Sequence, residues 1–342
     1  MNNVTKTNFW HSKTVLVTGI GGFVGGNLAK ALVSNGANVI GIVRTGANNT
    51  FLGYEGLSEN IKVFTGDLYD RALLERVLTE LPVEAVFHLA AQVEVGVAQR
   101  NPLVTYETNI RGTYNLLDAV RLCRPEIQSI IVASSDKAYG SYPRAEMPYQ
   151  ESYPLKPLFP YDVSKACADL IARSYSSDLY KLPIVVTRFS NIFGPGQLNF
   201  SALVPDLIRA CLGYGTFVPR GDGTQVRDFL YIQDVVDLYL NISQSLAQNP
   251  LLRGGIYNAG TNLPRSVRSV IEEICRIANT PELLPSILDQ MVARETIGEI
   301  DCQYMNFESV KRDFGWIPRT PFSEGLEHTI TWYKKYLNDV CK

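Results

Sequence analysis

Residues 14–25 read TVLVTGIGGFVG, and this stretch decides the fold. Residues 14–17 are apolar or β-branched and predict a strand, while residues 22–35 predict the helix that follows it. Gly19 permits the tight turn between the two, Gly22 lets the backbone approach a pyrophosphate, and Gly25 lets helix and strand pack closely. The helix N-terminus then offers free N–H groups to an anion. The stretch therefore predicts a dinucleotide phosphate site, with Phe23 and Val24 as further cofactor contacts.

The rest of the first half repeats this alternation of strands and helices. Strands are predicted at 38–43, 61–65, 85–89, 130–133 and 184–189, and helices at 71–80, 102–123 and 161–180. Strands that are apolar on both faces and separated by helices indicate a parallel sheet covered on both sides. We therefore expect an α/β fold, a Rossmann-type doubly wound sheet with a smaller, mixed α/β C-terminal domain.

The domain organisation follows from where this pattern weakens. Residues 1–190 are predicted to form the dinucleotide-binding domain. Residues 191–342 are predicted to form mainly the substrate-binding domain, with some segments returning to the first. No linker-like stretch separates them, so the cleft between them is the expected substrate site.

Composition excludes several classes of protein. The chain has 342 residues, of which 46% are hydrophobic and 19% charged, and its formal net charge is -2. Lysine and arginine form no basic stripe, so a nucleic-acid partner is not expected. No apolar run reaches membrane-spanning length, and residues 1–13 lack the apolar stretch of a signal peptide, so a cytoplasmic location is expected. The six cysteines have no metal-ligand spacing, which predicts reduced thiols and no metal site.

Several further motifs extend over nearly the whole chain. They are Gly-x-x-Gly-x-x-Gly from Gly19, Gly66-Asp67-Leu68, His88-Leu89-Ala90-Ala91-Gln92, residues 109–113, Tyr161-x-x-x-Lys165, residues 188–196 and Val226-Arg227-Asp228-Phe229. Together they resemble the extended short-chain dehydrogenase/reductase family of NAD-dependent epimerases and dehydratases. The resemblance implies a nicotinamide cofactor, NAD or NADP, which many relatives hold tightly and recycle.

The resemblance also assigns cofactor contacts. Asp67 and Leu68 would flank the adenine. Leu89, Ala90 and Ala91 would line the dinucleotide, and Asn109 would join them.

Arg44 bears on the choice of cofactor because it ends the second predicted strand. An acidic residue there would bond a ribose 2′-OH, whereas a cation suits a 2′-phosphate. This favours NADP slightly over NAD; a solvated surface arginine is the alternative.

Tyr161 and Lys165 lie one helical turn apart on the same face. A tyrosine ordinarily deprotonates near pH 10, and a neighbouring ammonium with a cationic nicotinamide is expected to lower that pKa. Tyr161 could then take a proton from a sugar hydroxyl as hydride leaves the same carbon, while Lys165 would also hold the nicotinamide ribose. Ser135 matches the family's Ser/Thr partner of the tyrosine. The alternatives are an ordinary helical pair and a serine that caps a strand end.

Asp136 and Lys137 separate the possible reactions. A 4-epimerase needs only Ser135, Tyr161 and Lys165, whereas a 4,6-dehydratase adds an acid and a base at the two positions after the serine. Asp136 is the candidate acid, which requires a raised pKa, and Lys137 is the candidate base, which must be neutral. A salt bridge or a loop cap is the alternative for the pair.

The Asp-Lys pair most resembles CDP-glucose 4,6-dehydratases. The predicted function is therefore a lyase that converts a nucleotide-diphosphate hexose, CDP-glucose favoured, to its 4-keto-6-deoxy product. The alternatives are a UDP-glucose 4-epimerase-like isomerase and a non-catalytic dinucleotide-binding protein.

Substrate contacts are assigned by the same resemblance. Arg227 is predicted to pair with the substrate diphosphate through its guanidinium fork, unless it pairs with Asp228 or Asp222. The other assigned substrate residues are Gln92, Asn191, Asn199, Leu203, Val204, Arg220 and Arg294. The helices at 102–123 and 161–180 form a dimer interface in many relatives, so a homodimer is expected.

Overall fold

Residues 8–44, 46, 50–293 and 298–340 are described by a computed structural model. Within them the strands are β1 Thr14–Thr18, β2 Asn38–Val43, β3 Ile61–Thr65, β4 Ala85–His88, β5 Ser129–Ala133, β6 Ile184–Phe189, β7 Asn191–Phe193, β8 Val226–Arg227, β9 Phe229–Tyr231, β10 Ile256–Ala259 and β11 Arg265–Ser266. The helices are α1 Phe23–Ser34, α2 Phe51–Tyr54, α3 Arg71–Glu80, α4 Val95–Arg100, α5 Pro102–Tyr106, α6 Gly112–Cys123, α7 Pro160–Ser176, α8 Leu203–Cys211, α9 Ile232–Gln248, α10 Val267–Ala278, α11 Leu284–Asp289, α12 Glu308–Phe314 and α13 Phe322–Val340.

Seven strands form one sheet in the order β3-β2-β1-β4-β5-β6-β10. Every neighbouring pair in it is parallel. The chain order reverses between β1 and β4, so the carboxyl ends of these two strands open a crevice in which such sheets bind ligands. The predicted Rossmann-type α/β fold is therefore confirmed.

The sheet separates two apolar cores because successive side chains of a strand point to opposite faces. In β1, Val15 and Val17 pack into one core with α1, α9 and α13, while Leu16 packs into the other with α3 and α6. Burial on both faces explains why β1, β5 and β6 each contain three consecutive apolar residues, at 15–17, 130–132 and 184–186.

The helices differ from the sequence prediction in two places. The segment predicted as one helix over 102–123 contains a five-residue π turn, Glu107–Arg111, between α5 and α6. Helix α7 begins at Pro160, where a missing N–H costs nothing, and it ends at Ser176 rather than at residue 180 because Ser177 adopts an extended backbone.

The C-terminal half supplies the elements above the crevice. Two short strand pairs, β7 with β9 and β8 with β11, lie there with α8 and α10, whereas β10 returns to the main sheet. A boundary at 190/191 stays a prediction. Among the described residues, no helix is both long and apolar enough to cross a membrane.

His88, at the end of β4, gives the fold a pH dependence that can be measured. It is fully buried between the hydroxyls of Thr18 and Thr113, both 2.9 Å from its ring nitrogens. Burial lowers the pKa of His88 to about 3, with a further contribution from the charge of Lys165. Between that value and the ordinary pKa of about 6.5 the unfolded chain binds a proton that the folded chain does not. Stability should therefore fall as the pH falls through this window, by at most roughly 4–5 kcal/mol.

Urea unfolding at a series of pH values from neutral to mildly acidic would measure this slope. His88→Gln should be less stable at neutral pH but should lose less stability on acidification. The matched control is His328→Gln, because His328 is exposed and should leave the slope unchanged. An identical slope in wild type and His88→Gln would contradict the assignment.

Candidate active site

The glycine turn between β1 and α1 is tightly closed. Gly19 has φ +71, and a Cβ there would lie 2.7 Å from the backbone nitrogen of Ala90. A Cβ on Gly25 would lie 2.3 Å from the Gly19 carbonyl oxygen. Both positions therefore require glycine, and the turn holds the N-terminus of α1 against the end of β4.

A cavity of about 1160 Å³ extends from this turn across the carboxyl ends of the strands. Almost all the residues that the sequence assigned to cofactor, substrate or catalysis line it together. They are Gly19, Gly22, Phe23, Val24, Gly25, Arg44, Asp67, Leu68, Leu89, Ala90, Ala91, Ser135, Asp136, Lys137, Tyr161, Lys165, Asn191, Asn199, Leu203, Val204, Arg220 and Arg227.

Two predicted contacts lie behind the cavity wall instead. The Asn109 side chain accepts a hydrogen bond from the Gln92 backbone N–H at 2.7 Å and donates to the Gln92 carbonyl oxygen and to Ser164. Both Asn109 and Gln92 are buried, and neither lines the cavity. In this structure both residues support the wall through bonds within the protein, and their assignment as ligand contacts stays a prediction. Arg294 lies outside the described residues.

Tyr161 and Lys165 lie on the first turns of α7 and face the cavity. Burial and the charge of Asp136 raise the pKa of Tyr161 above its ordinary value, while a hydrogen bond with Ser135 opposes the shift. Among the protein's own groups, desolvation of the phenolate is thus the largest effect, and the lowering expected from an ammonium together with a cationic nicotinamide stays a prediction. Lys165 donates instead to the Ala133 carbonyl oxygen, and burial lowers its own pKa to about 8.

Asp136 and Lys137 begin a single 3₁₀ turn, Asp136–Tyr139, directly after β5. The Ser135 hydroxyl caps this turn by accepting from the Lys137 N–H at 3.2 Å, and it donates to Asp136 at 3.0 Å. Burial raises the pKa of Asp136, although the charges of Lys137 and Arg227 oppose the shift. A raised pKa is the direction that a general acid requires.

Asp162 is a site residue that the sequence analysis missed. It is only 3% exposed, and burial raises its pKa to about 6, with the nearby charge of Lys137 opposing the shift. Its signal in the sequence is an acidic residue directly after Tyr161. A second buried carboxyl thus lies within electrostatic reach of Lys137.

Arg227 also lines the cavity, and its partners differ from those considered from the sequence. Its guanidinium pairs with Glu299 and donates to the Val226 carbonyl oxygen at 2.8 Å. Asp228 faces away and accepts hydrogen bonds from Thr261 and Asn262. The alternative pairing with Asp228 or Asp222 is therefore wrong, and nothing in the sequence pointed to Glu299.

Arg227→Lys should weaken the binding of a diphosphate-linked substrate. The substitution keeps the charge but removes the planar fork, and hydrogen bonds to charged groups contribute about 1.5–3 kcal/mol. We expect KM to rise about 10- to 100-fold with a smaller change in kcat. Initial rates over a range of substrate concentrations would measure this. Arg144→Lys is the matched control, since Arg144 pairs with Asp301 away from the cavity wall; an equal rise in both variants would contradict the assignment.

The cavity also suits a dinucleotide. Ser190 lines it, is 5% exposed, and has no hydrogen-bond partner for its hydroxyl among the described residues. An orphaned buried hydroxyl is costly unless a ligand pairs with it. The glycine turn and Asp67 follow β1 and β3, and Ser190 follows β6, so the cavity offers contacts to an extended ligand such as a dinucleotide across several strands. In the described part of the chain, no group of three His, Cys, Asp or Glu could hold a metal ion.

A doubly wound sheet, a glycine turn at its switch point and a Tyr-x-x-x-Lys pair on one cavity define an extended short-chain dehydrogenase/reductase. Residues 16–329 match the family model described as GDP-mannose 4,6 dehydratase. The chain therefore belongs to this family of nucleotide-sugar enzymes.

Individual relatives are similar over almost their whole length. Human dTDP-D-glucose 4,6-dehydratase is 30% identical over 331 residues, which cover 95% of this chain and 91% of the relative. The crystal structure of dTDP-glucose 4,6-dehydratase from Bacillus anthracis in complex with NAD has a TM-score of 0.81 at 28% identity, covering 95% of this chain and 97% of that one. UDP-glucose 4-epimerase from Thermotoga maritima, solved with UDP-glucose, has a TM-score of 0.81 at 26% identity, covering 95% and 99%.

Proposed function

We propose that the protein is a nucleotide-diphosphate hexose 4,6-dehydratase, a lyase. The observation that carries the proposal is the placement of Asp136 and Lys137 beside Tyr161 on one cavity wall. An epimerase has no use for an additional acid and base at this point, whereas elimination of water requires both. The relatives named as 4,6-dehydratases support the same reaction.

In this proposal each side chain has one proton to move. Tyr161 accepts the proton of the sugar's C4 hydroxyl as a phenolate, which requires positive charge from Lys165 and a bound nicotinamide to offset the burial that raises its pKa. Lys137 then removes the C5 proton, which the C4 carbonyl has made acidic, and Asp136 protonates the C6 hydroxyl so that it leaves as water. The buried Asp162 carboxyl lies within electrostatic reach of Lys137 and is a second carboxyl close to the proposed base.

We propose NAD as the cofactor, held by the glycine turn, Asp67, Leu68 and residues 89–91. When bound, it supplies the hydride acceptor at C4 and the hydride donor at C6. The slight preference for NADP predicted from Arg44 is not supported by the relatives, because the Bacillus anthracis structure contains NAD. Arg44 is exposed at the cavity edge, which accords with a solvated surface arginine.

The proposal also covers which nucleotide the sugar substrate carries. The expectation of CDP-glucose rests on the Asp136-Lys137 pair and has no support from the relatives named above. Those relatives act on or bind dTDP- or UDP-linked glucose, so these two sugars are the favoured substrates. Residues 191–342, with Asn191, Leu203 and Arg227 on the cavity, would bind the sugar nucleotide, and residues 1–190 the cofactor.

Mass spectrometry of the products tests the reaction. The purified protein is incubated separately with dTDP-, UDP-, CDP- and GDP-linked hexoses. Loss of one water from the dTDP- or UDP-linked glucose supports the proposal. An unchanged mass with an altered C4 configuration would show a 4-epimerase, the second candidate, which the similarity to the Thermotoga maritima enzyme favours. No conversion of any sugar would refute both.

The chain is also proposed to form a homodimer in the cytoplasm. Large apolar side chains are exposed on the neighbouring helices α5, α6 and α7, namely Leu103, Val104, Tyr114, Leu122 and Leu170. Large apolar side chains exposed on neighbouring helices are the kind of surface that an interface would cover. Analytical ultracentrifugation should therefore give twice the mass of one chain. Leu122→Glu combined with Leu170→Glu should give monomers, whereas the same change at Leu251, which is exposed elsewhere, should not.

A further inference from the structure

Tyr139 ends the 3₁₀ turn that begins with Asp136 and Lys137, which we call the acid–base turn. The Tyr139 side chain is fully buried and does not line the cavity. The turn is closed by a hydrogen bond from the Gly140 N–H to the Lys137 carbonyl oxygen at 3.0 Å, so its four residues form one short unit. The groups that hold Tyr139 therefore also determine where the proposed acid and base stand.

The Tyr139 hydroxyl lies between two buried partners. It accepts a hydrogen bond from the Arg188 Nη1 at 2.8 Å and donates one to the Asn258 Oδ1 at 2.8 Å. Burial raises the pKa of Tyr139 to about 12, so the phenol stays protonated and remains a donor. Its ring stacks on the Tyr149 ring at 4.8 Å. Stacked rings can slide past each other, and the two hydrogen bonds to the hydroxyl oppose that movement.

Arg188 and Asp169 connect this hydroxyl to helix α7. The Arg188 guanidinium, on β6, is 1% exposed and donates to both carboxylate oxygens of Asp169, at 2.7 and 3.0 Å. Asp169 lies on α7, one turn beyond Lys165 and two turns beyond Tyr161, on the same face. A buried bidentate pair has one specific geometry, since moving either charge away would leave the other unpaired in the interior. One guanidinium thus joins α7 to the acid–base turn.

We propose that Tyr139 is a positioning residue for the elimination step: its hydroxyl, held by Arg188 and Asn258, sets the distance between the acid–base turn and helix α7. Tyr139 touches neither substrate nor cofactor in this role. The inference rests on the proposed dehydratase function, and it adds the means by which the groups that remove water are aligned with those that oxidise C4.

Loss of the Tyr139 hydroxyl should affect elimination more than oxidation. Helix α7 keeps its bonds to Arg188 through Asp169, so Tyr161 and Lys165 stay in place. The acid–base turn, in contrast, loses its link to the guanidinium. A misplacement of about 1 Å in a catalytic group can cost about 10²-fold in rate.

Tyr139→Phe tests the proposal because it removes the hydroxyl and keeps the stacked ring. Product mass in the steady state measures the rate of water loss. Cofactor reduction by the 6-deoxy analogue of the substrate measures C4 oxidation alone, since that sugar has no C6 hydroxyl to lose. We expect water loss to slow about 10- to 100-fold, while C4 oxidation changes by less than about 2-fold.

Tyr257→Phe is the matched control. Tyr257 is also buried, its hydroxyl donates to Asp313 at 3.0 Å, and it does not line the cavity. Urea unfolding should show a loss of stability in both variants, because each removes a hydrogen bond of a buried phenol. Only Tyr139→Phe should change the ratio of water loss to C4 oxidation.

Asn258→Ala is a second variant, which decides the question if Tyr139→Phe does not fold. It removes the acceptor of the Tyr139 hydroxyl and leaves Arg188 in place, so it should lower the same ratio by a smaller factor. An unchanged ratio, or equal slowing of both rates, would overturn the positioning role. Failure of the wild-type protein to release water from any sugar would instead refute the proposed function.

Discussion

Tyr161→Phe should lower kcat by about 10³-fold, because it removes the one group placed to accept the C4 hydroxyl proton. The phenol is buried and hydrogen-bonded to Ser135, so no neighbouring phenol can replace it. KM should change little, since the ring and its packing remain. Turnover measured by product mass, with cofactor content measured separately, would test this. Retention of cofactor with loss of turnover is the expected pattern.

The matched control is Tyr153→Phe. The Tyr153 hydroxyl donates to the Glu146 carbonyl oxygen at 2.7 Å and lies away from the cavity, so this variant should keep wild-type turnover. If Tyr161→Phe converts sugar nucleotides as fast as wild type, the catalytic role of the tyrosine is refuted.

Lys137→Ala should abolish water loss while sparing oxidation at C4. Lys137 lines the cavity beside Asp136 and within electrostatic reach of Asp162, and its amine is the proposed base for the C5 proton. Without it, elimination should slow by about 10²–10⁴-fold. The reduced nicotinamide and the 4-keto sugar should then accumulate together. Absorbance of the reduced cofactor and product mass measure the two steps separately.

Lys156→Ala is the control for this prediction, since Lys156 is exposed, stacks on the Tyr142 ring at 4.1 Å and lies off the cavity. Unimpaired water loss in Lys137→Ala would show that another residue removes the C5 proton, and Asp162 would be the group to test. In that case Asp162→Asn should abolish the elimination instead.

The sequence by itself determined the sheet and its phosphate turn. Residues 14–25 combine a short apolar strand with glycines at the positions where backbone must approach backbone, and this requirement is local. The same holds for Tyr161 and Lys165, whose spacing of four residues on one helix fixes their common face whatever the remaining fold.

Only the tertiary structure decided which charges meet. Glu299 reaches Arg227 from 72 positions away in the chain, and no local pattern predicts that pairing. The pKa of Tyr161, on α7, depends on its burial and on Asp136 at the end of β5, and the spacing to Lys165 reveals neither. The Asn109 side chain is hydrogen-bonded to the backbone of Gln92 behind the cavity wall, and motif matching does not reveal this pairing. Desolvation and long-range pairing depend on packing in three dimensions, and for this reason the chemistry of the site was less predictable than its scaffold.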